Sequence, residues 1–218
     1  MQPEFWKKKW EAGTLGFHQE KVHPALEMWG FPLLEGTESS VLIPLAGKSW
    51  DIHHLATRGH HVTAVELSSL AAQQFHDEQG RSASRQTRGP FEEWSSEGCD
   101  YLVGDVFRVK EANLPPQDFI WDRAALVALA PEQRARYGPL LLSLLRPGGI
   151  LLLNVFRYPR GQKEGPPHSI EEHEVFSLFG KDARIELLES RDRIEEETRW
   201  KEMGFPYWIT STWKITRR

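Results

Sequence analysis

Residues 41–51, V-L-I-P-L-A-G-K-S-W-D, and residues 61–66, H-V-T-A-V-E, together decide the fold of this chain. The pattern predicts a buried strand, a tight loop that contains Gly47, a helix, and a second buried strand that ends at Glu66. A loop between a strand and a helix N-terminus presents backbone N–H groups to a ligand. A carboxylate about 20 residues further on can accept hydrogen bonds from both hydroxyls of a ribose. Since Gly47 and Glu66 are nineteen residues apart, the stretch predicts the first half of a nucleoside-binding α/β domain.

The glycine content of the loop distinguishes three classes of cofactor. A dinucleotide site requires G-x-G-x-x-G, whereas this loop contains one glycine. A P-loop requires G-x-x-x-x-G-K-[ST], and Gly47-Lys48-Ser49 supplies only its end because Leu42 occupies the first glycine position. S-adenosylmethionine carries no phosphate and needs only a turn for its amino-acid portion and a carboxylate for its ribose. The loop therefore favours S-adenosylmethionine, although the usual loop for this cofactor is richer in glycine.

Two further strand-like runs end in polar side chains. Residues 100–107, D-Y-L-V-G-D-V-F, contain Asp105, which is placed to approach an adenine ring, and residues 118–123, D-F-I-W-D-R, end at Arg123. Continuous apolar runs that alternate with helices, including a helix predicted from about Pro131, indicate a parallel sheet covered on both faces. Ligands of such sheets lie beyond the carboxyl ends of the strands. The sequence therefore predicts one ligand-binding edge formed by Leu45, Glu66, Asp105 and Arg123.

The composition is typical of a globular α/β protein. With 218 residues, of which 39% are hydrophobic and 27% charged, the chain has the length of one domain and can bury a substantial core. We therefore expect a single domain over residues 1–218. The longest apolar stretch is interrupted by R-P-G-G at residues 146–149, so no membrane partner is expected, and no secretory signal is visible. The one cysteine, Cys99, excludes an intramolecular disulfide and favours a cytoplasmic protein.

Charge and residue spacing also limit the partners. A net charge of -4 argues against a nucleic-acid partner, which usually leaves a basic footprint. The basic clusters Lys7–Lys9 and Arg81–Arg88 are interpreted as solvated faces. The adjacent pairs His53-His54 and His60-His61 point apart on a helix or strand, so no metal site is predicted. We expect a monomer that acts on a small molecule.

Residues 1–30 are predicted to form an N-terminal lid or cap. Trp6 and Trp10 are four residues apart and therefore share one face of a short helix. Both tryptophans could anchor this helix on the core, or Trp10 could cover a bound cofactor beside the A-G-T-L-G-F turn. Phe17, the last residue of that turn, is expected either to line a substrate cavity or to pack in the core.

Several short motifs together resemble a known family. They are W-x-x-x-W followed by G-F-H-Q, then P-L-A-G-K-S-x-D, R-G-H-x-V-x-x-V-E, W-D-R-x-A-L-V-A and G-P-P-H. This combination is similar to the thiopurine S-methyltransferase family, especially its bacterial members, and extends from about Trp6 to the C-terminal strand. The family carries P-L-x-G-K where other methyltransferases carry G-x-G-x-G, which accounts for the glycine-poor loop. The resemblance implies a Rossmann-like class I methyltransferase fold with a mostly parallel seven-stranded sheet, helices on both faces and an N-terminal helical lid.

The resemblance also implies which residues contact ligands. For S-adenosylmethionine the implied contacts are Trp10, Leu45, Glu66 and Arg123, with Asp105 and Val106 near the adenine. For the thiol substrate they are Phe17, Arg123 and a later arginine. We choose Arg199, in E-E-E-T-R-W, with Arg191 and Arg193 as the two alternatives.

The implied activity is transfer of a methyl group from S-adenosylmethionine to the sulfur of an aromatic or heterocyclic thiol, in the manner of a detoxification enzyme. Bacterial members of the family also suggest selenium or tellurium compounds as acceptors. In the in-line displacement, Arg123 is expected to orient the substrate, and no catalytic base is assigned. Two alternatives remain open from the residues alone. One is an NAD-dependent oxidoreductase with an atypical loop, against which the missing glycines count, and the other is a non-catalytic nucleoside-binding module.

Overall fold

The computed structural model describes residues 3–13, 16 and 18–218. The chain is organised as two compact units, the first ending at Trp121 and the second beginning at Asp122. Among the described residues, no helix combines the length and apolarity that crossing a bilayer would require.

The first unit alternates helices with strands. Its N-terminal part contains α1 (Pro3–Glu11), a π-helical turn (Leu26–Gly30) and α2 (Phe31–Leu34). The elements that follow are β1 (Ser40–Pro44), α3 (Trp50–Thr57), β2 (His61–Glu66), α4 (Ser69–Glu78), β3 (Ser84–Arg88), β4 (Phe91–Ser96) and β5 (Cys99–Val103). A 3-10 helix (Val106–Ala112) then leads to β6 (Gln117–Arg123), whose last two residues belong to the second unit.

The strands of the first unit lie in the order β3-β4-β5-β2-β1-β6. β1 pairs in parallel with β2 and with β6, and β2 pairs in parallel with β5. β3 and β4 form an antiparallel extension next to β5. Because β1, β2 and β5 run in the same direction, Pro44 pairs with Val65 and Glu66 pairs with Val103. The carboxyl ends of these three strands therefore lie at one edge of the sheet, with the order reversing around β1.

Burial explains why β1 and β2 form the centre of this sheet. Residues 41–44 and 62–66 are buried without interruption, which is typical of parallel strands covered on both faces. Between them, α3 begins at Ser49, whose Oγ accepts a hydrogen bond from the N–H of Asp51 at 3.2 Å. Such a cap stabilises a helix start because the first backbone N–H groups have no partner within the helix.

The second unit contains three strands and three α-helices. A 3-10 turn (Leu126–Ala128) precedes them. In chain order they are α5 (Pro131–Leu144), β7 (Leu145–Arg157), α6 (Glu172–Phe179), β8 (Ala183–Asp192), α7 (Thr198–Glu202) and β9 (Ile209–Arg217). β9 lies between β7 and β8 and is antiparallel to both. Tyr158, Trp200, Phe205 and Trp208 form a buried aromatic cluster beside these strands, in which Trp200 and Trp208 stack at 4.3 Å between ring centroids.

The predicted α/β class is confirmed, but the expected seven-stranded, mostly parallel sheet requires correction. The described residues form nine strands, and among them β3, β4, β8 and β9 pair only in antiparallel fashion. The difference arises partly at Ser84–Arg88, which is polar and mostly exposed and nevertheless pairs along its whole length with β4. Backbone hydrogen bonds, which the side-chain pattern does not reveal, place this segment in the sheet. The predicted strands that end at Glu66 and Arg123 and the helix from Pro131 are confirmed.

Candidate active site

Residues 45–49 form the Gly47 loop, which connects β1 to α3. Leu45 and Gly47 both adopt left-handed backbone conformations, with φ angles of 48° and 53°. This region is uncommon for a leucine, and strain of this kind is concentrated at functional sites. The N–H of Ala46 donates to the carbonyl of Val65 at 3.0 Å. The loop is thus closed over the end of β2.

Glu66 is the last residue of β2, and its carboxylate is buried beneath the Gly47 loop. Oε2 accepts a hydrogen bond from the N–H of Gly47 at 3.1 Å, while Oε1 accepts from Leu67 and Ser68 at 2.8 and 3.0 Å. Burial raises the pKa of Glu66 above its usual value, and the three backbone donors oppose this shift. A carboxylate has about four acceptor sites. Glu66 therefore has capacity for one further O–H donor in addition to the loop that it holds.

Two side chains from other elements also hold the Gly47 loop. The hydroxyl of Tyr101, on β5, donates to the carbonyl of Gly47 at 2.6 Å. The ammonium of Lys48 lies 2.5 Å from a carboxylate oxygen of Glu78, at the end of α4. Burial raises the pKa of Tyr101 well above its usual value, so its hydroxyl keeps its proton and remains a donor at neutral pH.

Asp51, in the first turn of α3, joins three segments of the first unit. Its Oδ1 accepts a hydrogen bond from the N–H of His23 at 2.8 Å, and its Oδ2 accepts from the indole N–H of Trp121 at 2.8 Å. Both carboxylate oxygens are therefore occupied in a buried position. The start of α3 is in this way fixed to the chain after the N-terminal helix and to β6.

Asp105 and Val106 follow β5, at the same sheet edge as Glu66. The N–H of Gly104 donates to the backbone carbonyl of Glu66 at 2.8 Å, which joins the two strand ends. Asp105 is exposed, and its Oδ1 accepts from the N–H of Phe107 at 3.0 Å, so it caps the 3-10 helix. Val106 is buried. The structure therefore brings Leu45, Glu66, Asp105 and Val106 to one edge, and contact with an adenine remains a prediction.

The N-terminal predictions have mixed outcomes. Trp10 lies near the end of α1 and is buried, while Trp6 is half-buried. The burial of Trp10 agrees with an anchor of α1, and its contact with a cofactor remains a prediction. Phe17 lies outside the described residues.

Arg123 is the last residue of β6, is half-buried and belongs to the second unit. The next residue, Ala124, has a φ angle of 64°, so β6, like β1, is followed directly by a non-glycine residue with left-handed backbone. Preceding it, Asp122 is fully buried and accepts hydrogen bonds from the N–H groups of Ala125 and Leu126 at 3.1 Å each. The turn that follows Arg123 is thus fixed by its neighbour, and the ligand contacts of Arg123 remain predictions.

The three candidate arginines of the C-terminal segment differ in their surroundings. Arg199, our choice for the thiol side, is exposed, with its guanidinium 4.9 Å from the ring centroid of Trp200. Arg191 is also exposed and pairs with Glu196 at 2.5 Å. Arg193 is half-buried, where it donates to Thr210 and pairs with Glu196 at 2.8 Å. Which of them lines the substrate site therefore remains a prediction.

Two residues of the site were not found from the sequence, namely Tyr101 and Asp51. Asp51 occurs in the P-L-A-G-K-S-x-D motif, but no spacing rule relates it to His23 or Trp121. Tyr101 lies in a run predicted as a strand, and its only signal is its hydroxyl, which needs a hydrogen-bond partner when it is buried. Within the described part of the chain, no group of three or more His, Cys, Asp or Glu side chains is arranged to hold a metal ion.

The parallel strands around β1 and the Gly47 loop agree with the class I methyltransferase fold that the motifs predicted. A solved structure of 1,6-didemethyltoxoflavin-N1-methyltransferase from Burkholderia thailandensis, with bound 1,6-didemethyltoxoflavin and S-adenosylhomocysteine, is similar to this chain with a TM-score of 0.64. The similarity covers 99% of this chain and 86% of that one at 18% sequence identity. At this identity the comparison shows the fold alone.

Sequence comparison identifies the family. The thiopurine S-methyltransferase family model matches residues 1–218. A thiopurine S-methyltransferase from Xanthomonas axonopodis pv. citri is 37% identical over 218 residues, which is 100% of both chains. One from Pseudomonas fluorescens is 38% identical over 204 residues, 94% of each chain. The chain therefore belongs to the thiopurine S-methyltransferase family, as its motifs predicted, and its cofactor is S-adenosylmethionine.

Proposed function

We propose that this chain transfers the methyl group of S-adenosylmethionine to the sulfur of an aromatic or heterocyclic thiol of the thiopurine type. The family match over residues 1–218 supports the thiol acceptor. The observation that carries the donor site is the buried Glu66 carboxylate bonded to the N–H of Gly47. In this proposal the acceptor is a small molecule and the enzyme works as a monomer.

The residues at the edge of the first unit fit the donor. Glu66 offers one remaining acceptor site to a ribose hydroxyl. If both ribose hydroxyls bind, the second one must share a carboxylate acceptor site with one of the backbone N–H groups. Leu45 and Gly47 turn the loop toward this carboxylate, while Asp105 and Val106 follow the neighbouring strand. No phosphate needs to be held, which agrees with a loop that contains one glycine.

The chemistry requires alignment more than acid–base catalysis. S-adenosylmethionine supplies a methyl group on a positively charged sulfur, and an aromatic thiol is acidic enough to react as the thiolate near neutral pH. Accurate alignment of the two partners can contribute up to about 7–11 kcal/mol. The protein therefore needs rigid binding elements, and the Gly47 loop, held by Glu66 and Tyr101, has this property.

Arg123 is proposed to orient the thiolate. Its guanidinium stays charged at all relevant pH values and presents a planar set of donors to an anionic heterocycle. The buried Asp122 beside it fixes the following turn, which restricts the backbone from which Arg123 extends.

A lysine substitution separates the orienting role of Arg123 from a purely structural one. Arg123→Lys keeps the charge and removes the planar fork. We expect the variant to fold and to keep most of its donor affinity, while kcat/KM for an aromatic thiol falls at least about tenfold, roughly 1.4 kcal/mol of transition-state stabilisation. Steady-state kinetics beside a thermal melt provides the measurement.

The matched control is Arg184→Lys on β8, whose side chain is 80% exposed. This variant should match the wild type in kcat/KM. A near-wild-type kcat/KM for Arg123→Lys, or a lowered melting temperature with normal turnover of the folded fraction, would remove Arg123 from the functional residues.

The choice of methyl acceptor is tested with a panel of candidate acceptor compounds. The wild-type protein is incubated with methyl-labelled S-adenosylmethionine and either aromatic thiols, aliphatic thiols, selenite or tellurite. We expect labelled thioether from the aromatic thiols. Label on selenium or tellurium products would extend the acceptor range, and transfer to none of the thiols would contradict the proposed function.

A further inference from the structure

Both peptide groups that flank the Cα atom of Gly47 are fixed by side chains outside the Gly47 loop. On the N-terminal side, the N–H of Gly47 donates to Oε2 of Glu66 at 3.1 Å. On the C-terminal side, the carbonyl of Gly47 accepts from the hydroxyl of Tyr101 at 2.6 Å. We infer that Tyr101 is a positioning residue for the methyl donor, acting through Gly47. This inference rests on the proposed donor site at Gly47 and Glu66.

The backbone freedom of glycine explains why two anchors are needed. The orientations of the two flanking peptide planes are set by φ and ψ of Gly47, and glycine restricts these angles less than any other residue. Glu66 holds one plane and Tyr101 holds the other. With only the first bond present, the plane before Gly47 stays fixed while φ and ψ can both change, so the plane that follows Gly47 would lose its fixed orientation.

The surroundings of Tyr101 make it a rigid anchor. The residue lies in the middle of β5, opposite Ala64 of β2, and its side chain is fully buried. Its ring packs against Phe75 and His76 of α4, with centroids 5.7 and 6.0 Å away. A ring held between a strand and a helix keeps its hydroxyl in one place. The hydrogen bond to this hydroxyl therefore fixes Gly47 relative to the sheet.

Replacement of Tyr101 by phenylalanine tests this role. The variant keeps the ring contacts and is therefore expected to fold, but it leaves the carbonyl of Gly47 without its donor. Isothermal titration with S-adenosylhomocysteine should show a dissociation constant about three- to tenfold higher than that of the wild type, the range of one neutral hydrogen bond. In steady-state kinetics, KM for the donor should rise while kcat and KM for the thiol stay within twofold.

The chain offers a closely matched control in Tyr158→Phe. The hydroxyl of Tyr158 also donates to a carbonyl at 2.6 Å, that of Pro167 in the second unit. This variant removes the same kind of bond and should lower the melting temperature similarly, but its affinity for S-adenosylhomocysteine should stay within twofold of the wild type.

Hydrogen exchange over residues 44–50 gives a second measurement that needs no ligand. Faster exchange there in Tyr101→Phe than in the wild type or in Tyr158→Phe is expected. Unchanged donor affinity in Tyr101→Phe would overturn the inference whatever the exchange rates, as would an equal loss of affinity in both variants. If Tyr101→Phe binds S-adenosylhomocysteine like the wild type while Glu66→Ala binds it weakly, the positioning role of Tyr101 is refuted and the proposed donor site stands. If the wild type binds no S-adenosylhomocysteine, the proposed donor site itself fails.

Discussion

Asp122 shows at the scale of one residue how the second unit begins. Its side chain is completely buried, with Oδ1 accepting from two backbone N–H groups and Oδ2 accepting from the hydroxyl of Tyr137 at 2.8 Å. Burial raises the pKa of Asp122 to about 6, although these hydrogen bonds favour the ionised form. The carboxyl therefore costs free energy when it is ionised and is held in place by its donors.

The raised pKa has a definite consequence for stability. Between the ordinary pKa of 3.8 and the folded pKa of about 6, the folded state binds more protons at Asp122 than the unfolded state. The contribution of this group to the free energy of unfolding therefore falls as the pH rises through this window and is constant above it. A difference of about two pKa units corresponds to roughly 3 kcal/mol.

An asparagine at position 122 removes this pH dependence. Its amide oxygen can accept the two backbone hydrogen bonds, and its amide nitrogen can donate to Tyr137, whose hydroxyl also accepts. We expect Asp122→Asn to become more stable relative to the wild type between pH 4 and pH 7, by up to roughly 3 kcal/mol. Urea unfolding at several pH values measures the difference, and a pH-independent difference would contradict the assignment.

From the sequence, only those residues of the candidate site could be predicted whose positions follow from short spacings along the chain. Glu66 was found because strand, loop, helix and strand follow one another within 26 residues, and the helix between them fixes the distance. Tyr101 was missed because its bond to Gly47 spans 54 residues. The same holds for Asp51 and Trp121, which are 70 residues apart. Such contacts depend on the order of the strands, which no local pattern contains.

At the scale of the element, the unit of function is the Gly47 loop together with the start of α3. Ser49 ends the loop and caps the helix, so the conformation of the loop and the stability of the helix are coupled. Lys48 and Glu78 add a contact to α4 that is partly exposed to solvent, and such pairs contribute little on their own.

The N-cap residues of α3 and α4, Ser49 and Ser68, provide a matched pair of variants. The Oγ of Ser49 accepts the capping hydrogen bond at the start of α3, whereas Ser68 stands at the same position of α4 without a side-chain cap. Ser49→Ala is expected to lower the free energy of unfolding by about 1 kcal/mol, and Ser68→Ala by clearly less. Equal losses in urea unfolding of the two variants would show that the Ser49 cap contributes no more than general packing.

Elements with their own hydrophobic signal were predicted well, and elements without one were not. β1 and β2 are buried along nearly their whole length, so their apolar runs are evident from the sequence. The cluster Arg81–Arg88 was interpreted as a solvated charged face, and it contains the segment Ser84–Arg88. This segment is mostly exposed, but it forms a strand, with Arg88 paired to the buried Glu93 at 2.8 Å. Pairing with β4 decides its structure, and this pairing is a tertiary effect that overrides the local pattern.

At the scale of the whole molecule, the family match extends over every residue from 1 to 218, while the ligand edge argued from geometry belongs to the first unit. The central claim is that this edge binds the methyl donor through Glu66. Loss of its carboxylate removes a charge-assisted acceptor and also releases the N–H of Gly47. We expect both effects to weaken donor binding, by about 2–4 kcal/mol together.

The most direct test is isothermal titration of S-adenosylhomocysteine into the wild type, Glu66→Ala and Glu93→Ala. Glu93 is another buried glutamate of the same sheet, so its variant controls for the loss of a buried carboxylate. Thermal melts verify that all three proteins are folded. We predict tight binding by the wild type and by Glu93→Ala, affinity weaker by about 2–4 kcal/mol for Glu66→Ala, and no binding of a nicotinamide dinucleotide. Unchanged affinity in a folded Glu66→Ala protein would contradict the central claim.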